Sequence, residues 1–313
     1  MKAAHSIGID IGGTNTDIAL VDKKGNCLSF RNLKTKDYYD AEKFASDIVE
    51  AVRSLMQENN VAEITGIGIG APCVNNIKGV IDNASNLNMK GEIHLKQLIQ
   101  KRMNVPVELS NDANAAAYGE MIYGGAQNMR NFIMFTIGTG IGSGIIIDGK
   151  MLYGADGFAG ELGHAILFPE GRQCPCGRKG CLEQYVSIRG IIQTCRELFP
   201  KYPQNLLTQL PEKELDCKLI ADEAHKGNPL AVETFNLTGY WLGIALANAV
   251  TFSSPEAIFV MGGPAQAGSV LFEPLRKSFQ KHKLFVYKNE IPILESALDK
   301  SHVAILGAAS LTR

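Results

Sequence analysis

Apolar and polar positions follow two rhythms along this chain. Ser6–Ile11 and Asp17–Val21 carry short apolar runs that read as strands, separated by a Gly-Gly-Thr turn. From Ala41 to Gln57 the period lengthens, and Phe44, Ile48, Ala51, Val52 and Leu55 share one face of a predicted helix. Ile64–Ile69 is a short strand ending in Gly-Ala-Pro, Val105–Leu109 is another, and Asn111–Gly119 begins an Ala-rich helix. The opening pattern then returns: Phe132–Ile137 as a strand, Gly138–Gly144 as a glycine-rich turn, Ile145–Asp148 as a strand. Leu230–Phe252 reads as a long apolar helix, Ala257–Met261 as a strand running into Gly262-Gly263, and Val270–Gln280 as a further helix. Pro200–Asp216 reads as a loop or short helical connection.

Strands alternating with helices indicate an α/β protein. The stretches GIDIGGTNTDIALVD and FTIGTGIGSGIIIDG share the order strand, Gly/Thr turn, strand. They imply two related α/β halves, each opening with a hairpin and meeting near Ala117–Gly125. At 313 residues the chain is long enough for two cores. A formal net charge of −1 offers no basic field for nucleic acid or an anionic membrane. Seven cysteines without framework spacing suit a reducing, cytoplasmic compartment. The start MKAAHSIGID has no apolar h-region of a signal peptide, and no run reaches the roughly 18 apolar residues of a membrane span.

The most specific chemistry lies in GHAILFPEGRQCPCGRKGCLE, where His164, Cys174, Cys176 and Cys181 fall within eighteen positions. One histidine and three thiols close a tetrahedral zinc shell. Glu161 and Glu183 bracket this knot without needing to ligate the metal. The two glycine turns could cradle phosphate through their N–H groups. Strands follow both turns, though, so neither is a dinucleotide or Walker loop. Each alone is a tight hairpin; the pair, with Thr14, Thr16 and Thr139 beside glycine, points to a phosphate clamp. Asp10, between Ile9 and Ile11, is costly inside a strand unless paired or near a metal. It is either an outer-sphere partner for Mg²⁺ on a nucleotide or a hydrogen-bonded strand end. Asn111 or Asp112 suits a helix N-cap; facing a phosphate clamp, Asp112 is instead placed to take a proton from a hydroxyl.

These residues resemble the ROK family of sugar kinases and related repressors. The resemblance runs through DIGGTNT, GAP, NDANAAAYGE, GTGIGSG, GELGH, CPCGRKGCLE and MGGPAQAG, nearly end to end, and is nearest to the bacterial glucokinases of that family. It implies a duplicated actin/Hsp70-like (ribonuclease H-like) ATPase fold with a cleft between its domains. The expected domains are a small N-terminal one over 1–118, with a C-terminal helix at about 300–313 packing back on it, and a larger one over 119–299. It implies in-line phosphoryl transfer from Mg-ATP to the 6-hydroxyl of a hexose, with Asp112 as general base and glucose the expected sugar. Asp10, Gly12, Gly13, Thr14 and Asn15 match the first phosphate motif, Gly138, Thr139 and Gly140 the second, and Gly262 and Gly263 the adenosine motif. Asn86, Asn111, Glu161, His164 and Glu183 match the sugar contacts, and His164, Cys174, Cys176 and Cys181 the ligands of a structural zinc. The resemblance implies a homodimer or tetramer.

Two positions depart from the pattern: Cys73 follows Gly-Ala-Pro where the family has glycine, and Ser85 replaces proline before Asn86-Leu87. Both leave N-acetylglucosamine, N-acetylmannosamine, allose or fructose as alternative substrates. A repressor would carry a helix-turn-helix segment ahead of the phosphate motif, and this chain reaches Asp10 at once. A non-catalytic sugar- or zinc-binding regulatory protein accounts for the knot but not for Asp112 or the paired turns.

Overall fold

The computed structural model describes residues 5–84, 86–299 and 302–313. In chain order the strands are β1 (His5–Ile11), β2 (Thr16–Asp22), β3 (Cys27–Leu33), β4 (Ile67–Gly70), β5 (Val74–Asn75), β6 (Val80–Asp82), β7 (Glu92–Ile93), β8 (Val107–Ser110), β9 (Phe132–Ile137), β10 (Ile141–Ile147), β11 (Lys150–Met151), β12 (Ala257–Gly262) and β13 (Ile293–Glu295). The helices are α1 (Ala41–Glu58), α2 (Leu95–Gln100), α3 (Asp112–Ile122), α4 (Glu183–Val186), α5 (Ile188–Glu197), α6 (Cys217–His225), α7 (Pro229–Ser253), α8 (Ser269–His282) and α9 (Val303–Ser310). The chain divides into two compact units, one of Met1–Arg130, Gly144–Ala159 and Ser296–Arg313, the other of Asn131–Ser143 and Gly160–Glu295.

The first unit is built on a sheet of order β3-β2-β1-β4-β8. β1 pairs antiparallel with β2 and parallel with β4, which runs parallel to β8. α1 starts where the Asp40 carboxylate accepts the Glu42 N–H, and it buries Phe44, Ile48, Val52 and Leu55 completely, the face its 3.6-residue period predicts. α9 lies on the sheet so closely that a Cβ on Gly68 would stand 1.8 Å from the Ala308 carbonyl oxygen, and one on Gly8 would stand 2.2 Å from that of Ile305. Only glycine permits this approach.

In the second unit β9, β12 and β13 run parallel, with Phe132–Ile137 in register against Ala257–Gly262. The order β11-β10-β9-β12-β13 repeats that of the first sheet, and β10 is the strand along which the chain passes from one unit to the other. α7 is capped by Asn228, whose side chain accepts the Leu230 and Ala231 N–H groups, with Pro229 in the first turn. Gly239 and Gly243 let it lie against Leu275 and Ser278 of α8. Among the described residues no helix is long and apolar enough to cross a membrane.

Strand starts differ from the sequence reading, whereas Pro200–Asp216 is the short helical connection expected. β10 begins at Ile141 rather than Ile145, because Gly142 and Gly144 are strand residues and the turn is only Gly138–Gly140. β4 begins at Ile67 rather than Ile64. Pro200–Asp216 contains three 3₁₀ turns, the first entered from Phe199: Phe199–Lys201, Leu206–Gln209 and Glu212–Glu214.

Candidate functional site

In the first unit, Asp10 is level with Gly70 and Gly70 with Ser110 in the parallel ladders, near the carboxyl ends of three neighbouring strands. In an open α/β sheet this is the edge where ligands bind. The chain leaves β8 through Asn111 into α3, and the Asn111 Oδ1 accepts the Asn114 N–H at 2.8 Å. Asn111 is therefore the cap. Asp112, in the first helical turn, keeps its carboxylate free: no described residue donates a hydrogen bond to it. Asp112 is solvent-accessible, yet the protein mass around it disfavours the charged form and raises its pKa.

Asp10 is perturbed further. It is half-buried, stands opposite Asp17 across the antiparallel β1–β2 pair, and lies within reach of the Asp112 charge. Desolvation first, then the Asp112 and Asp17 charges, push its pKa up to about 6. Next to it the Gly12–Asn15 turn is closed by the Gly12 N–H on the Asn15 carbonyl at 2.9 Å. Asn86 packs on this turn, since a Cβ on Gly13 would stand 2.7 Å from the Asn86 carbonyl oxygen. Thr14 is exposed at its tip, whereas Thr16 is buried with its hydroxyl bonded to that of Thr35 at 2.7 Å and cannot serve as a ligand donor. The Lys34 ammonium, which sequence reasoning missed, meets the Asn15 Oδ1 at 2.7 Å and brings positive charge to the turn. Cys73 is exposed and left-handed, with φ of 52°. Its thiol pKa is raised, by desolvation first and then by Asp82 and Asp112. Ser85 lies outside the described residues.

In the second unit the turns Gly138–Gly140 and Gly262–Gly263 follow β9 and β12, paired neighbours in register at Ile137 and Gly262. Beside Gly263 opens a cavity of about 260 Å³, lined on one side by Ile188 and Gln266 and on the other by Lys218, Asp222 and His225 of α6. These α6 residues were also missed. Asp216 caps α6 through the Leu219 N–H, and that cap ahead of CKLIADEAH was the available signal.

The four side chains of the knot come together. The ligand atoms of His164, Cys174, Cys176 and Cys181 all lie within 4.8 Å of one another. His164 Nδ1 is 3.7 Å from Cys174 Sγ, and Cys176 Sγ is 3.6 Å from Cys181 Sγ. Those edges match a tetrahedron with metal–sulfur bonds of about 2.3 Å, and all four cysteine-and-histidine donors are of the kind zinc takes. Gly180, at φ of 74°, sits where a Cβ would be 1.5 Å from the Phe168 carbonyl oxygen. Arg178 draws the Cys176 thiol down to about 6 through its backbone N–H and guanidinium. Arg172 staples the knot to α4 and α5: its guanidinium donates to the Gln184 and Gly190 carbonyls at 2.6 and 3.1 Å and stacks over the Tyr185 ring. Glu161 is exposed in the turn whose carbonyl receives the His164 N–H, and Glu183 opens α4 two residues after Cys181.

The sequence profile of the ROK family matches residues 6–313. The chain belongs to the ROK family. A glucokinase of Streptomyces coelicolor is 35% identical over 317 residues, covering 98% of this chain and 97% of the relative. A ROK family glucokinase from Streptomyces griseus, solved in complex with glucose and AMPPNP, superposes with a TM-score of 0.78 at 33% identity, covering 98% of each chain. The xylose repressor of Bacillus subtilis is 30% identical over 312 residues, covering 99% of this chain and 77% of the repressor. The repeated sheet order is that of the actin/Hsp70-type, ribonuclease H-like ATPase fold of ROK kinases.

Proposed function

We propose that this ROK protein is an ATP-dependent hexose kinase that phosphorylates the 6-hydroxyl of glucose. The observation that carries the reading is the Asp112 carboxylate, left unbonded at the sheet edge because Asn111 takes the cap. End-to-end similarity to glucokinases supports it.

In this reading Asp112 accepts the proton of the 6-hydroxyl as the oxygen attacks the γ-phosphorus and ADP leaves. The N–H groups left over in the two turns, at Gly13–Asn15 and at Thr139 and Gly140, hold the phosphates, so catalysis is mainly positioning and electrostatics. Gly262, Gly263 and the cavity beside them take the adenosine. Asn86, Asn111, Glu161, His164 and Glu183 hold the sugar hydroxyls. His164 turns Nδ1 toward Cys174, which leaves Nε2 for the sugar.

Mg²⁺, when bound, supplies charge neutralisation at the phosphates. Asp10 would hold its hydration shell, and the repulsion that Asp112 and Asp17 exert on Asp10 favours a cation there. His164, Cys174, Cys176 and Cys181 would hold zinc, whose role is structural because four protein donors leave no open position. The domains are proposed as 1–118 with the C-terminal helix, and 119–299, although the compact units place 119–130 and 144–159 with the first. The assembly is proposed as a homodimer, supported by Phe252 and Phe285 of the second unit, 72% and 85% exposed. A cytoplasmic place at the entry to glycolysis completes the proposal.

ADP release with Mg-ATP over glucose, mannose, fructose, allose, N-acetylglucosamine and N-acetylmannosamine tests the substrate. Glucose is expected to give the highest kcat/KM. Another sugar leading would move specificity to Cys73 and Asn86, and no turnover with any sugar would refute the kinase. The xylose-repressor similarity makes sugar-regulated DNA binding the second reading, and a mobility-shift assay is expected to show none.

A further inference from the structure

We infer that Glu183 is a positioning residue for the nucleotide: its carboxylate seats the Gly138–Gly140 turn. The inference rests on reading that turn as a phosphate-binding element. It assigns Glu183 a task beyond holding a sugar hydroxyl.

The Ile141 N–H, the first donor after the turn, gives its hydrogen bond to Glu183 Oε2 at 2.9 Å. That bond fixes the chain as it leaves the turn for β10. Gly140 makes room for the carboxylate, since a Cβ there would stand 2.5 Å from the same Oε2. The turn is pinned again from the same segment, where the Ile188 N–H donates to the Gly138 carbonyl at 2.9 Å. Within the turn the Gly138 N–H meets the Gly140 carbonyl at 2.9 Å. Thr139 stays exposed at the apex. The turn therefore takes its shape from residues 183–188, which begin two positions after Cys181.

A charged acceptor makes a stronger bond to an N–H than a neutral one. A turn held in advance spends none of its binding free energy on ordering when phosphate arrives. Among the described residues the other carboxylate oxygen, Oε1, receives only a 3.4 Å contact from the Gln184 amide and is left for a second partner. One side chain thus links the metal knot, the phosphate turn and the sugar contact.

The test measures Mg-ATP binding by titration calorimetry without sugar, on the zinc-loaded full chain. Glu183→Ala is expected to raise Kd about tenfold, the cost of one such bond. Glu183→Gln, whose amide oxygen accepts the same N–H, should stay within about threefold of wild type. Gly140→Ala strikes the bond from the other side and should weaken binding by a similar factor. The double variant Glu183→Ala/Gly140→Ala should bind no worse than Glu183→Ala alone, because the added methyl then has room. If Glu183→Ala does not fold, Glu183→Gln and Gly140→Ala carry the comparison. Wild-type Mg-ATP affinity in Glu183→Ala or in Gly140→Ala, failure of Glu183→Gln to rescue, or two multiplying effects would overturn the inference. Wild-type protein that binds no Mg-ATP would instead overturn the nucleotide reading itself.

Discussion

Replacing Asp10 by asparagine should make the fold more stable at neutral pH while impairing nucleotide use. Asp10 is half-buried in β1, directly across from Asp17 and within the field of Asp112, and these effects raise its pKa from 3.8 to about 6. Like charges opposite one another in a sheet are destabilising. In the unfolded chain the carboxyl titrates at its ordinary value, so between about pH 4 and pH 6 the native state holds a proton that the unfolded state has released. Stability from this group is complete below the unfolded pKa and lost as pH rises through the folded one. A shift of about two pH units at 1.36 kcal/mol each is about 3 kcal/mol, and the solvent reaching a half-buried group reduces it to about 2 kcal/mol. Asparagine imitates the protonated acid in shape and charge. Urea unfolding of wild type and Asp10→Asn, from about pH 4 to pH 8 without metal or nucleotide, reads the difference directly. The two should coincide near pH 4, and the variant should be more stable by about 2 kcal/mol above pH 7. Added Mg-ATP should narrow that gap by stabilising the wild type more. A gap that is the same at every pH, or a variant less stable at pH 7, would refute the reasoning.

Three further outcomes are expected. Because Asp112 must be ionised to accept a proton and its pKa is raised, kcat/KM should fall on the acid side at a pH above the ordinary aspartate range; a pH–rate profile reads that limb. Cys176→Ser should lose zinc by metal analysis and raise the sugar KM, since the knot then no longer holds His164 and Glu183; full sugar affinity after chelation would exclude this. Cys73→Gly should stabilise the fold by about 1 kcal/mol in thermal or urea unfolding, since φ of 52° is strained for any residue with a Cβ.

Much of this was legible in the sequence because it rests on local rules. The hairpins around the first glycine turn, the helical face of Phe44, Ile48, Val52 and Leu55, and the zinc donors all follow from spacing within one segment. β3 was passed over because its burial merely alternates between exposed and half-buried, leaving no apolar run to find. β5, β6 and β7 are two or three residues long and exist only through pairing with one another. At the site, the choice between Asn111 and Asp112 as cap depended on which side chain folds back to the Asn114 N–H, which residue type alone does not decide. Thr16 looked like a ligand donor until its partner Thr35, nineteen positions away, was placed beside it. Lys34 and Arg172 act through long-range neighbours, and no short pattern marks them; for the α6 face the Asp216 cap was the one local signal.

The central claim is that Asp112 takes the proton during transfer of phosphate to the sugar 6-hydroxyl. Steady-state turnover of glucose with Mg-ATP by wild type and Asp112→Asn, with the product identified by phosphorus NMR, tests it most directly. The account predicts glucose 6-phosphate from the wild type and a fall in kcat of ~10²–10⁴ in the variant, with sugar and nucleotide affinities retained. A variant with near wild-type kcat would contradict it.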